Sequence, residues 1–177
     1  RRQRQMCIRD SFCIIPKVRG AFRSRTIESI KAEVERLAAS GVKEVVLIAQ
    51  DTTSYGIDLN DGKPLLTTLL KELTAVEGIE WIRMLYLYPT FFSDELLDII
   101  VNEPKLCKYV DIPLQHVNND ILKQMNRRDD RNDIERLLKK IRNAPTHITL
   151  RTSIIVGFPG ETDEQFEELC DFVKEIK

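Results

Sequence analysis

Long apolar runs are missing from this sequence. No stretch approaches the ~18 residues a membrane span needs, and the Arg-rich start has no apolar segment of the kind a secretion signal carries. Cysteine is scarce, with four in 177 residues, at positions 7, 13, 107 and 170. They have neither a zinc-site spacing nor the density of a disulfide framework, and a reducing, cytoplasmic compartment fits them best. Phosphate-cradling signatures are absent too, since no G-x-G-x-x-G and no Gly-Lys-Ser/Thr ending occurs. Excess charge of one sign is missing overall, at a net −1. Residues 1–25 are the exception, with eight Lys/Arg against the single acid Asp10. Such an arm is either a solvated terminus or a nucleic-acid contact.

What is present is an ordinary globular composition, 42% hydrophobic and 31% charged. Short apolar strands alternate with amphipathic helices. Ile27, Ile30, Val34, Leu37 and Ala38 recur at helical spacing and are closed by Gly41. "EVVLIAQD" reads as a parallel strand buried on both faces. A helix near Pro64–Val76 precedes the strand "WIRMLYLY", and a helix capped by Ser93 precedes "YVDIP". One or two helices fill Asn119–Asn143 before "ITLRTSIIVG". Thr162 and Gln165 form a capping box that opens a last helix from Asp163 to about Ile176. Strand, helix, strand without hairpin signals means right-handed βαβ units on a parallel sheet, in an open doubly wound form or as part of a (β/α) barrel. The four strands are expected near 44–50, 80–87, 108–112 and 148–156. The chain starts and stops abruptly and is expected to be a fragment, truncated at both ends.

Polar residues gather where the strands end: Gln50, Asp51 and Thr52; Tyr88 and Pro89; Gln115 and His116; Gly157, Pro159, Gly160 and Glu161. Ligands of parallel α/β folds bind at the carboxyl ends of strands, so these groups are expected on one rim. "GFPGE" has two readings. Its glycines permit close backbone approach to a ligand, or it is a tight strand-to-helix turn with Glu161 favouring the helix dipole. His116 is a base, a metal ligand or a hydrogen-bonded structural residue, and His147 reads as surface. Cys107 and Cys170 read as inert core residues, packed as small hydrophobes.

Taken in order, "FCIIPKVRG", "LIAQDTTSYG", "LYLYP", "YVDIPLQH" and "TSIIVGFPGET" resemble the radical S-adenosylmethionine (SAM) methylthiotransferases. They are most similar to the type that modifies an aspartate of a ribosomal protein. The resemblance covers residues 12–177 and implies an α/β fold, a partial parallel (β/α) barrel of the radical SAM type. It also implies a 4Fe–4S cluster held by a Cys-x-x-x-Cys-x-x-Cys loop, whose open iron chelates SAM. Carried over by position, Cys13 matches the last cysteine of that loop and Phe12 the aromatic beside the nucleoside. Gln50, Asp51, Gln115, Arg151 and Ser153 match positions lining the cofactor site, and Gly157, Gly160 and Glu161 the loop along the adenosine. No residue is assigned a catalytic role.

The loop departs from the family at its other two positions, where Met6 and Asp10 stand in place of cysteine, and Cys7 is one place out of register. A thioether and a hard oxygen donor are poor ligands for iron–sulfur clusters. Residues 1–11 are therefore expected to be a non-native arm and 12–177 a partial radical SAM core. The family's N-terminal methylthiotransferase domain and its C-terminal TRAM-like β domain are expected to be absent. The implied activity is methylthiolation of an aspartate β-carbon on a small-subunit ribosomal protein, with this chain itself inactive. The alternatives are a transfer-RNA adenosine methylthiotransferase, a non-catalytic truncated barrel, and a nucleic-acid binder acting through the basic arm. The sequence names neither reductant nor sulfur donor.

Overall fold

The computed structural model describes residues 11–176. Four strands and seven α-helices alternate in the order the hydrophobic pattern anticipates. They are α1 (Ile15–Arg19), α2 (Ile27–Ala39), β1 (Glu44–Leu47), α3 (Leu66–Thr74), β2 (Trp81–Met84), α4 (Asp94–Asn102), β3 (Tyr109–Asp111), α5 (Asn119–Gln124), α6 (Arg131–Arg142), β4 (Thr149–Arg151) and α7 (Asp163–Glu175). Only α1, a helix of five residues, has no counterpart in the sequence reading. β1 pairs with β2 and β3 with β4, both parallel, and a parallel bridge joins Ile82 to Leu106.

The chain forms two compact units, interlaced along the sequence. The sheet unit holds Arg23–Ile112 and Ala144–Arg151, hence all four strands with α2, α3 and α4. The loop unit holds Pro113–Asn143, Thr152 onward and the described residues up to Phe22, hence α1, α5, α6 and α7.

In the sheet unit the core is aliphatic. Leu69, Leu70 and Leu73 of α3, Leu96 and Ile100 of α4, and Ile82, Met84 and Val110 of the strands are all buried. α4 starts where Ser93 Oγ accepts the Leu96 N–H at 3.1 Å. At its far end Lys108 Nζ donates to the carbonyls of Glu103 (2.8 Å) and Ile100 (2.5 Å), satisfying acceptors that a helix end leaves open. α2 ends at Ser40, and Gly41 (φ +93°) donates to the Ala38 carbonyl in the left-handed conformation that suits glycine there.

Two expectations about the strands need correction. β1 is not buried on both faces: Val45 is buried, but Val46 is 42% and Ile48 65% exposed. β1 pairs with β2 alone among the described strands, so one edge and part of one face stay open. The strands are also shorter than their apolar runs. β2 stops at Met84 because Tyr86 adopts φ +57°, outside the extended region. β4 stops at Arg151, so Ser153 lies beyond the strand it was assigned to.

In the loop unit α6 buries Ile134, Leu137, Leu138 and Ile141 at 3–4 residue spacing. Asp130 and Asp133 cap its start reciprocally. α7 opens with the Thr162–Gln165 capping box that the sequence shows, and buries Leu169 and Phe172. A parallel bridge joins Gln115 to Ile154.

Candidate functional site

The residues expected on one rim divide between the two units. Gln50, Asp51 and Arg151 belong to the sheet unit; Phe12, Cys13, Gln115, Ser153, Gly157, Gly160 and Glu161 belong to the loop unit.

In the sheet unit the polar groups after β1 are turned inward. Asp51 is buried, and its carboxylate accepts from the hydroxyls of Thr53 and Ser54 and from the Ser54 N–H at 3.2 Å. Thr52 closes the same turn, its hydroxyl donating to the Leu85 carbonyl at 2.6 Å and its N–H to the Tyr86 carbonyl at 2.9 Å. The segment Asp51–Ser54 thus fastens the end of β1 to the end of β2. Gln50 is exposed. A groove of about 380 Å³ between α2 and β1 is lined by Val34, Leu37, Val46, Ile48 and Tyr55, and includes none of Gln50, Asp51 and Arg151.

Arg151 donates from Nη1 to Oδ1 of fully buried Asp111 at 3.0 Å. The Asp111 charge raises the guanidinium pKa further above its already high value. The other Asp111 oxygen accepts the Tyr86 N–H at 3.2 Å, and the Asp111 carbonyl accepts the Leu87 N–H at 2.8 Å. Tyr86 is therefore held from both sides in a conformation unusual for a bulky side chain, while the residue is 44% exposed. Sequence reasoning missed Asp111 and Tyr86. Their only signal was position at strand ends, and the bond between them spans 25 residues.

The loop unit carries the more connected constellation. After Thr152 the chain runs beside the segment Leu114–His116: the Leu114 N–H donates to Thr152 Oγ1 (3.2 Å), the Gln115 N–H to the Ser153 carbonyl (2.9 Å), and the Ile155 N–H to the Gln115 carbonyl (2.8 Å). Gln115 sits at φ +69° to make this register. Gly157 and Gly160 follow with φ +71° and +90°, a conformation that penalises any Cβ. Both glycines are exposed, and nothing stands within 4 Å of where a Cβ at Gly157 would lie.

Glu161 closes this loop. Its side chain is nearly buried, and Oε2 accepts the Phe158 N–H at 2.9 Å, while its own N–H donates to the Phe158 carbonyl at 2.8 Å. Oε1 lies 3.2 Å from Nε2 of His116, whose side chain is fully buried. The Asn118 N–H points at His116 Nδ1 at 3.0 Å. Nδ1 must therefore accept, which leaves Nε2–H to donate to Glu161. Of the readings open for His116, the hydrogen-bonded structural residue describes this geometry. Asn118, which the sequence reading passed over, caps α5 through Oδ1, receives Gln165 Nε2 at 3.2 Å and donates to Glu168 at 2.7 Å.

Phe12 stands at the same loop, its ring edge-on to Phe158 with centroids 6.4 Å apart and planes at 78°. Beside it Cys13 is a half-buried free thiol, and the Ser11 N–H donates to the Met125 carbonyl at 2.8 Å. Met6, Cys7 and Asp10 lie outside the described residues. Among the described residues no three His, Cys, Asp or Glu side chains gather as metal ligands. Cys107 and Cys170 are half-buried rather than core. Burial pushes the Cys107 thiol pKa up, which suits an inert group. His147 is exposed, as its sequence context indicates.

Comparison with known proteins adds the family. Residues 11–173 match the radical SAM superfamily. Over 167 residues the chain is 52% identical to the ribosomal protein uS12 methylthiotransferase RimO of Clostridium botulinum (strain Loch Maree) and 53% identical to that of Geobacter sulfurreducens. Each alignment covers 94% of this chain and 37% of the relative, so the chain spans a little over a third of the length of these curated relatives. Among solved structures, the radical SAM methyltransferase TsrM of Kitasatospora setae, with cobalamin and a 4Fe–4S cluster bound, superposes with a TM-score of 0.66. That superposition covers 86% of this chain and 29% of TsrM at 19% identity, a likeness of fold alone. The parallel strand pairing agrees with both matches, and the chain belongs to the radical SAM superfamily.

Proposed function

We propose that this chain supplies the radical SAM part of an enzyme that methylthiolates an aspartate β-carbon of ribosomal protein uS12. The observation that carries this reading is the 52–53% identity, over 94% of the chain, to proteins named for that activity. Residues 12–177 form the core on this reading, and residues 1–11 contribute nothing to it. The match to the superfamily begins at residue 11, within one residue of that boundary. The substrate is a ribosomal protein, the setting is the cytoplasm, and reductant and sulfur donor come from elsewhere. Among the described residues no helix is long and apolar enough to cross a membrane, which agrees with that setting.

Two groups that the family uses fare differently against the residues present. A 4Fe–4S cluster in this family takes three thiolates from one loop. Here Cys13 occupies one of those positions, while Met6 and Asp10 hold the other two, so the donor set does not fit the cluster. The chain as it stands is inactive on this reading.

The nucleoside of SAM does fit the loop unit. Gly157 and Gly160 leave exposed backbone that no Cβ covers, and Phe12, a residue 43% exposed, offers an apolar ring beside it. Cys13 would stand nearby as the one thiolate in place. Ser153 and Gln115 hold the approach to the loop through their backbones, and Glu161 shapes it from beneath. Gln50, Asp51 and Arg151 are proposed for the cofactor on resemblance alone. The internal bonds of Asp51 and Arg151 favour a supporting role for both.

The test is a chimaera in which residues 12–176 replace the matching segment of the Geobacter sulfurreducens relative, behind that protein's own N-terminal region. The expected result is a mass gain of one methylthio group, replacing hydrogen, on an aspartate of uS12. A chimaera that instead modifies adenosine in transfer RNA, and leaves uS12 unchanged, overturns the substrate assignment.

A further inference from the structure

We infer that His116 is a positioning residue for the nucleoside loop, acting through Glu161. This rests on the reading of Gly157–Gly160 as the surface that receives the nucleoside of SAM.

The argument is geometric. The glycine loop spans from Ile155 to Glu161, and two adjacent residues of a different segment hold its two ends. Gln115 holds the entry, through its N–H to the Ser153 carbonyl (2.9 Å) and its carbonyl from the Ile155 N–H (2.8 Å). His116 holds the exit, through Nε2–H to Glu161 Oε1 at 3.2 Å. Glu161 passes the constraint on, since its Oε2 and its N–H bind the N–H and carbonyl of Phe158. Phe158 in turn meets Phe12 edge-on, next to Cys13. One short segment therefore sets where the loop backbone lies and where its aromatic ring points.

The side chain at 116 has to accept on one side and donate on the other, without flexing. Its Nδ1 accepts from the Asn118 N–H at 3.0 Å, and Nε2 donates 45 residues away in sequence. Imidazole in one tautomer does both on a rigid ring, and full burial leaves no water to substitute for either bond.

The two halves separate by substitution. His116→Asn keeps an acceptor where Nδ1 stands and loses the reach to Glu161. His116→Gln keeps a donor near the Nε2 position and loses the acceptor for Asn118. The probe is S-adenosylhomocysteine, which carries the nucleoside and needs no cluster, titrated by calorimetry into the 177-residue chain. Amide exchange at Phe158 is followed in parallel. With a buried carboxylate acceptor left unpaired, His116→Asn is expected to weaken binding by about tenfold and to deprotect the Phe158 amide. His116→Gln is expected to bind within about twofold of the unmodified chain, although it melts lower.

A purely structural histidine would lower the melting temperature without this crossing of effects. Wild-type affinity and Phe158 protection in His116→Asn, or equal losses of affinity in both variants, overturn the inference. Should the Asn variant not fold, Glu161→Gln replaces it, since its NH2 group takes the place of one of the two oxygens that accept from His116 and Phe158. If the unmodified chain does not bind the probe, the nucleoside reading falls. The Phe158 amide then decides the His116–Glu161 coupling alone.

Discussion

Asp111 in the sheet unit and Glu161 in the loop unit are both carboxylates taken out of water, but they are matched by different partners. Asp111 meets a guanidinium whose side chain is 55% exposed, together with the Tyr86 N–H. Glu161 meets a fully buried imidazole and the Phe158 N–H. In the first case the counter-charge keeps its water and the acid is enclosed. In the second, both groups are enclosed and the pair is held by hydrogen bonds rather than by a permanent cation. Asp51 is a third case, satisfied by two hydroxyls and an N–H, with no cation bonded to it among the described residues. Buried acids at strand ends therefore do not have one function here. Two of them fasten strand ends to each other and one shapes a loop.

The comparison breaks first at Asp111. Asp111→Ala removes the partner of Arg151 and leaves the Tyr86 N–H without its acceptor. The expected loss is about 3 kcal/mol in chemical denaturation, toward the low end for breaking a buried pair because the guanidinium can rehydrate. A loss below ~1 kcal/mol would mean that the ion pair and its hydrogen bonds together contribute little.

Next comes Asp51→Asn, which keeps the shape but halves the acceptors. About 2 kcal/mol is expected, read from the same denaturation midpoint, because one hydroxyl or the Ser54 N–H is left unmatched. A neutral result would show that water can enter the turn.

The strain at Tyr86 gives a smaller and signed effect. Tyr86→Gly should be more stable than Tyr86→Ala by about 1 kcal/mol, the reverse of their order in an ordinary strand, because only glycine tolerates φ +57° freely. The pair of melting curves checks it, and equal stabilities would mean the backbone relaxes.

The smallest effect lies on the surface. Hydrogen bonding and then the charge of Arg25 lower the pKa of Glu33, and Lys71 does the same for Glu95. Groups whose folded pKa is depressed contribute stability above their ordinary value of 4.5, and that contribution is lost as pH falls through the folded value. A shallow decline in melting temperature on acidification below that point is expected, shrinking in high salt because both pairs are exposed. An identical decline in Glu33→Gln/Glu95→Gln would assign it to other acids.

Much of the fold was legible because it is written locally. The Thr162–Gln165 capping box, the Ser93 cap and the 3–4 spacing of α2 and α6 are each contained within one element. The parallel pairing followed from the alternation of strands and helices. What could not be read was tertiary. Whether "EVVLIA" is enclosed depends on what flanks β1, and apolar residues on both faces do not answer that. Tyr86 ends β2 because of a carboxylate 25 residues on, and His116 finds Glu161 45 residues on. The candidate residues were legible as strand-end polar groups, but which of them stay exposed and which turn inward depends on such distant partners. Asp51 carried the same sequence signal as Gln50, yet one is buried and the other exposed.

The interlacing of the two units has a consequence for how the chain is made. β3 must wait for its parallel neighbour until Thr149–Arg151 has been synthesised, 40 residues after Asp111 in the case of Arg151. Pro113–Asn143, with α5 and α6 of the other unit, emerges in between. During translation Asp111 therefore exists for a time without its guanidinium, while the loop unit is still missing α7. Neither unit can be cut out as one continuous piece, and a ribosome stalled just after residue 143 would hold both of them unfinished.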